Sequence, residues 1–304
     1  MLKLGTMANL EKRVTELIQS PLGSAFLLSA EVSGLSPGEI AKPIFSFYLG
    51  AYASHLIEVW RGADRDRVLP EVLHRGSQKV DLAQAILEEA ATEWWFAPLD
   101  IGQQLYVPRD GNLPDPDQLI APDTPPTRSE RYTQRHEKGL FTSTLIEGTS
   151  SLYVALDDEV ADIGLGWHGP PYRSWLISPS PSARILEVNG ALDWHELCAR
   201  YPAEGRSDAQ TPDFSADEGR LVPDWSAVAI DWDAVHLSFG GLLASDQVRI
   251  ESPKGWTYLW GWDMEQTLWL RWMFDANRLK DHEPMRSPVE GLIDPPLENR
   301  LLGI

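Results

Sequence analysis

The spacing of apolar residues changes near residue 98, and this change limits the folds that the chain can adopt. Before it, apolar residues recur three or four positions apart, as in Leu10, Val14 and Leu17, which is typical of amphipathic helices. After it, short apolar runs such as 139–146 are separated by irregular polar stretches, which is typical of strands. The sequence therefore predicts an α+β fold: a helical N-terminal region followed by a mixed, mostly antiparallel β-sheet domain with short helices.

Proline-rich and polar segments divide the chain into parts. Six prolines lie between Pro108 and Pro126, and so many prolines exclude both a continuous helix and a central strand. The predicted parts are a helical N-terminal region (1–98), a strand with a Pro-rich loop or linker (99–135), an α+β C-terminal domain (136–281) and an extended tail (282–304).

Several element boundaries follow from capping signals. Ser36 followed by Pro37 predicts a helix start, and Pro43 predicts a kink or a second start. Asp81 is expected to cap a helix over 81–96. Two short helices that share a D-W opening are expected to have caps at Asp193 and Asp224.

Two further stretches bear on the sheet. The run 150–158 is expected to be a strand. The tryptophan-rich run 256–275 fits either strands or a helix that begins near Asp263.

Charge and composition exclude some classes of partner. The 304 residues include 26 Lys and Arg against 45 Asp and Glu, a formal charge of −19, which disfavours nucleic-acid binding. The start of the chain lacks the apolar segment of a signal peptide, and the run 25–30 is too short to span a bilayer. We therefore expect a cytoplasmic bacterial protein with no membrane association and an undetermined oligomeric state.

Metal centres and the common nucleotide motifs are not predicted. The single cysteine, Cys198, excludes an intramolecular disulfide and Cys-rich zinc sites. The seven histidines are scattered, with no two placed three or four residues apart. The chain also lacks the phosphate-binding loop, the dinucleotide fingerprint and the G-x-S-x-G motif. No metal cofactor is therefore predicted. Of the histidines, the candidates for a functional role are His236, within a strand, and His168, in a Gly/Pro loop.

Three segments suggest a site when they are taken together. Arg109 ends a predicted strand, and an arginine can grip a phosphate through two hydrogen bonds. A second strand carries three consecutive hydroxyl residues, which include Ser143 and Thr144. Asp263 and Glu265 lie two residues apart, so both face one side if this segment is a strand. A carboxylate there can accept hydrogen bonds from sugar hydroxyls and stabilise a developing positive charge.

This order of Arg strand, Ser-Thr strand and x-x-Glu strand resembles the ADP-ribosyltransferase superfamily, over residues 99–275. The resemblance implies a glycosyltransferase-type enzyme that uses NAD as substrate. Arg109 would bind the NAD phosphates, Ser143 and Thr144 would support the site, and Glu265 would contact the nicotinamide ribose. Leu145 stands where the family pattern has its second Ser, and Asp263 stands where it has the first Glu.

These observations predict six site residues. They are Glu265 and Asp263 as catalytic residues, and Arg109, Ser143, Thr144 and His236 as NAD-binding residues. The expected acceptor is a macromolecule or a small molecule, and the expected role is that of a toxin or phage-defence effector.

Other interpretations remain open from the sequence. The hydroxyl residues fit an outward-facing strand, Arg109 fits an exposed turn, and the two acids fit an exposed strand or a helix cap. The thirteen tryptophans suggest an alternative function, a non-catalytic interaction or self-assembling protein with an aromatic-rich surface.

Overall fold

The α+β fold predicted from the sequence is confirmed. The computed structural model describes residues 2–59, 65–100, 102, 104–106, 139–154, 172–204, 219–259, 262 and 264–282. The Pro-rich stretch 108–126, Arg109, His168, Asp263 and all of the predicted tail beyond residue 282 lie outside these residues, so the predictions made for them stay predictions.

Helices occupy the first third of the chain. They are Leu2–Gln19 (α1), Pro21–Ser33 (α2), Pro37–Ile40 (α3), Pro43–Val59 (α4), Arg65–Gly76 (α5) and Val80–Leu87 (α6), with a 3₁₀ helix at Ala90–Phe96. The predicted cap at Ser36 is confirmed, because Ser36 and Glu39 form a reciprocal capping box around Pro37. Pro43 begins a new helix, because the first turn of a helix does not need the backbone N–H that proline lacks. The predicted cap at Asp81 is wrong: Lys79 precedes α6, and Asp81 lies in its first turn.

Seven of the described strands form the main sheet. The described strands are Gln104–Tyr106 (β1), Leu140–Thr144 (β2), Tyr172–Pro179 (β3), Ile185–Val188 (β4), Pro202–Glu204 (β5), Leu221–Pro223 (β6), Ala234–Leu237 (β7), Arg249–Ser252 (β8), Gly255–Tyr258 (β9), Gln266–Trp269 (β10) and Phe274–His282 (β11). The order across the main sheet is β11-β3-β1-β2-β10-β7-β4. Only the β4–β7 pair is parallel among the strand pairs of this sheet that the described residues form.

Short helices connect these strands. They are Ser151–Val154 (α7), Ala191–Arg200 (α8), Trp225–Asp231 (α9) and Phe239–Ser245 (α10). Asp224 caps α9 as predicted, but Asp193 does not cap α8, since it lies in the first turn and accepts the Asn189 N–H. None of the described helices is long and apolar enough to span a membrane.

Two strand or helix assignments are settled by these elements. The predicted strand over 150–158 is wrong at Ser151–Val154, where a helical turn allows the Ser151 N–H to reach the Ser143 hydroxyl. The described part of the run 256–275 contains most of β9, all of β10 and the start of β11, and no helix.

One hydrophobic core joins the helical region to the sheet. Phe239, at the start of α10, contacts the rings of Phe26 and Phe47 on α2 and α4, with ring centroids 6.0 and 5.6 Å apart. The same cluster includes Leu268 on β10. A second, smaller cluster that includes Leu140 and Trp269 packs on the other face of the sheet, because strand side chains alternate between faces.

Candidate functional site

Glu265 lies immediately before β10, with 3% of its surface exposed, and its carboxylate receives four hydrogen bonds. Oε2 accepts from Ser143 Oγ at 2.8 Å and from the Thr144 backbone N–H at 2.9 Å. Oε1 accepts from Thr144 Oγ1 at 2.7 Å and contacts His236 Nε2 at 3.1 Å. Because β10 lies between β2 and β7, the strand order brings these side chains to one place.

The alternative interpretations, which place the hydroxyl residues of β2 and Glu265 on an exposed surface, are wrong. Thr142, Ser143 and Thr144 are all buried, and Glu265 is neither on an exposed strand nor in a helix. Burial favours the neutral acid and raises the pKa of Glu265, but the bond and charge of His236 and the hydroxyls of Thr144 and Ser143 outweigh it. The pKa of Glu265 is therefore lowered below its ordinary value, and the group is an ionised carboxylate.

Ser143 is the centre of a cluster of three serines. Its hydroxyl accepts hydrogen bonds from Ser150 Oγ at 2.8 Å and from Ser151 Oγ at 2.7 Å, and donates to Glu265. The α7 helical turn supplies Ser151, whose single hydroxyl proton is shared between Ser143 Oγ and the backbone carbonyl of Glu265, each 2.7 Å away. These contacts fix the rotamer of Ser143 and the position of the backbone at Glu265.

Gln104 on β1 extends the network across the sheet. Its Nε2 donates to Thr144 Oγ1 at 2.9 Å, and its Oε1 accepts from Thr142 Oγ1 at 2.7 Å. The indole N–H of Trp269 donates to Thr142 Oγ1 at 2.9 Å. All of these side chains are buried, so each hydroxyl and amide obtains within the protein the partners that water would otherwise supply.

His236 on β7 lies between two carboxylates. Its Nδ1 is 2.5 Å from Glu187 Oε2 on β4, and its Nε2 is 3.1 Å from Glu265 Oε1. Ionised carboxylates only accept hydrogen bonds, so both ring nitrogens must donate, and only the imidazolium form has two N–H groups. Burial lowers the pKa of His236, but the bonds to Glu187 and Glu265 outweigh it and raise the pKa to about 9. The ring is therefore a cation at neutral pH.

A cavity of about 330 Å³ opens beside Glu265 and His236. It is lined by Trp94, Ala97, Pro98, Asp100, Thr144, Leu145, Ile146, Glu147, His236 and Glu265. One wall therefore comes from the helical region and the adjoining segment 97–100, and the rest of the lining comes from the sheet and the turn at Glu147. The indole of Trp94 is held in place by its N–H bond to the Ala41 carbonyl at 3.2 Å and by contacts with Phe47 and Phe239.

Four of the six sequence-predicted site residues meet at this point. Ser143, Thr144, His236 and Glu265 are in direct contact, whereas Arg109 and Asp263 lie outside the described residues. Sequence reasoning missed Glu187 and Gln104. Both join the site through the strand order, which places β4 beside β7 and β1 beside β2 and is not visible in the local sequence pattern.

Comparison of the chain with protein-family models, curated proteins and solved structures gave no match. Within the described ranges, no group of three or more His, Cys, Asp or Glu side chains is arranged to hold a metal ion.

Proposed function

We propose that the chain is an NAD-dependent ADP-ribosyltransferase, with Glu265 as the catalytic carboxylate. One observation carries the proposal: Glu265, beside a cavity, is held by Ser143 and Thr144 of the neighbouring strand. The three segments that carry the sequence resemblance contain strands β1, β2 and β10, which are neighbours in the sheet in that order. Arg109 follows β1 by three residues along the chain.

The charge of the site suits cleavage of the bond between nicotinamide and ribose. In that reaction the C1′–N bond breaks, the electron pair leaves with nicotinamide, and positive charge develops on the ribose. An ionised, desolvated carboxylate stabilises this charge in place of water. An acceptor nucleophile then forms the new bond to C1′ and loses its proton. Glu265 already receives four hydrogen bonds, so its expected contribution is its negative charge beside the cavity and not a further hydrogen bond to the ribose.

The cavity fits one end of a dinucleotide better than a whole one. Ligand pockets span about 300–1,000 Å³, and this cavity is at the lower end of that range. Its lining sets three carboxylates, Asp100, Glu147 and Glu265, against one cation, His236, with no Lys or Arg among the described residues, so its negative charge suits a cationic pyridinium ring better than a diphosphate. The proposal assigns the diphosphate to Arg109 on the sequence resemblance.

The alternative, an interaction protein with an aromatic-rich surface, has less support. Among the tryptophans whose side chains are described, all are buried or half-buried. Trp94 is half-buried, but it lines the cavity and not an open surface.

Cleavage of NAD by the purified chain is the direct test. We expect release of nicotinamide, and transfer of label from NAD to a component of a bacterial extract. Glu265→Gln should lower both rates by more than about 100-fold, since it removes the charge that stabilises the transition state. Glu196→Gln, which makes the same change at an exposed position on α8, is the matched control. Absence of NAD cleavage and transfer by the unmodified chain would refute the proposal.

A growth assay tests the effector role. Induced expression in bacterial cells should slow growth, and Glu265→Gln should restore it. Toxicity that persists unchanged in the variant would point to a different activity.

A further inference from the structure

Glu187 has contacts that the proposed chemistry does not use. It lies on β4, next to β7 in the parallel pair, and its register places it directly beside His236. Its Oε2 binds His236 Nδ1 at 2.5 Å, while its Oε1 accepts the backbone N–H of Leu99 at 3.0 Å. One carboxylate therefore contacts both the ring that binds Glu265 and the segment that walls the cavity.

We propose that Glu187 is the positioning residue of this site, which keeps His236 as an imidazolium against Glu265 and holds the wall segment 97–100 at the cavity. This inference rests on the proposed function for its catalytic consequence, but its structural part can be measured without any activity. Glu187 does not line the cavity, so its expected role is exerted through His236 and Leu99 and not by contact with substrate.

The ring orientation requires an acceptor at each nitrogen. Without the Glu187 carboxylate, Nδ1 would have no ionised acceptor, and burial would favour the neutral ring. A neutral ring can still donate one hydrogen bond to Glu265, but it removes the positive charge beside a buried carboxylate. Glu265 would then gain a proton more readily, and the site would lose the ionised group that it needs.

The Leu99 contact links Glu187 and His236 to the wall of the cavity. Leu99 is buried, and its neighbours Ala97, Pro98 and Asp100 all line the cavity. Because the Leu99 N–H donates to Glu187, the wall and the imidazolium share one anchor. Among the described residues, the other charged groups near the ring are Glu265, which contacts it, and Asp100 and Glu147, which line the same cavity.

Two substitutions separate the two roles of Glu187. Glu187→Gln keeps an oxygen that can accept the Leu99 N–H but removes the charge beside His236. Glu187→Ala removes both contacts. Glu196→Gln on the exposed face of α8 is the matched control.

Nitrogen-15 NMR of labelled histidine reports the protonation of His236 directly, with the resonance assigned by its loss in His236→Gln. We expect imidazolium shifts at pH 7 in the unmodified chain and in Glu196→Gln. In Glu187→Gln the midpoint of the titration should move down by more than about one pH unit. An unchanged midpoint would overturn the proposal, whether or not the chain cleaves NAD.

Hydrogen exchange at Leu99 and steady-state kinetics complete the test. The Leu99 amide should exchange faster in Glu187→Ala than in Glu187→Gln. If NAD cleavage is observed, Glu187→Gln should lower kcat at least about tenfold, with KM changed less than about threefold. The pH profile of kcat should also become narrower, because Glu265 gains a proton at a higher pH and His236 loses one at a lower pH. Equal Leu99 exchange in the two variants, or an unchanged kcat and pH range, would overturn the positioning role.

Discussion

Thr144 binds Glu265 through two different donors. Its backbone N–H reaches Oε2 at 2.9 Å, and its hydroxyl reaches Oε1 at 2.7 Å, so one residue contacts both oxygens of the carboxylate. Two contacts from one residue fix the rotation of the carboxylate as well as its position. The hydroxyl of Thr144 also accepts from Gln104 Nε2, which extends the constraint to the next strand, β1.

Substitution of Thr144 by Val measures how much this hydroxyl contributes to the free energy of unfolding. Val keeps the β-branched shape but leaves Oε1 with one donor fewer and Gln104 Nε2 with only the Asp100 carbonyl. We expect the free energy of unfolding to fall by about 1–3 kcal/mol, because buried polar groups lose partners. Urea denaturation followed by tryptophan fluorescence measures this change.

Thr15→Val is the control for that experiment. The Thr15 hydroxyl is on the exposed face of α1 and bonds only to the Glu11 carbonyl within its own helix. An equal loss of stability in the two variants would show that the network around Glu265 contributes no more than a surface hydroxyl does.

The sequence was sufficient to identify the residues at the centre of this network but not all of their partners. Residue type and strand periodicity singled out Ser143, Thr144, His236 and Glu265. Glu187 and Gln104 become partners only through the strand order, since β4 lies beside β7 and β1 beside β2. Non-local pairing of this kind leaves no trace in local periodicity.

The incorrect local predictions have physical reasons of the same kind. The strand expected at 150–158 begins as a helical turn because Ser150 and Ser151 bind Ser143. This tertiary contact outweighs the strand preference of the apolar residues that follow. Helix α8 begins at Ala191, before Asp193, so the Asp193 carboxylate lies in the first turn and accepts the Asn189 N–H.

Substitution of Trp94 by Leu tests the cavity wall. The indole is fixed by Ala41, Phe47 and Phe239, so it can present a flat face to a ligand ring at little entropic cost. If NAD is the substrate, we expect KM to rise about twofold to tenfold with a smaller change in kcat. Trp232→Leu alters a half-buried indole that does not line the cavity and serves as the control. Equal KM values for Trp94→Leu and the unmodified chain would exclude ring contact at this wall.

Substitution of Gly241 by Ala tests the contact between α10 and β4. A Cβ at this position would lie 2.4 Å from the Val188 carbonyl oxygen, which is backbone and cannot move aside like a side chain. We expect a loss of about 1–3 kcal/mol in the free energy of unfolding. At Gly38 the nearest atom to an added Cβ is 3.5 Å away, so Gly38→Ala should be neutral or slightly stabilising in the same urea experiment. A neutral Gly241→Ala would mean that the helix can move away from the sheet without cost.

The stability of the fold should depend on pH through His236. The bonds to Glu187 and Glu265 overcome the effect of burial and raise its pKa to about 9, whereas an unfolded histidine has a pKa of about 6.5. Between these values the folded chain holds a proton that the unfolded chain releases. The stabilisation is therefore complete below about pH 6.5 and is lost as the pH rises through about 9.

We expect the difference in unfolding free energy between the unmodified chain and His236→Gln to shrink by more than about 1 kcal/mol over this range. Urea denaturation at pH 6, 7.5, 9 and 10 measures it, with His74→Gln at an exposed site as control. A difference that stays constant from pH 6 to pH 10 would mean that the ring is not held as a cation between the two carboxylates.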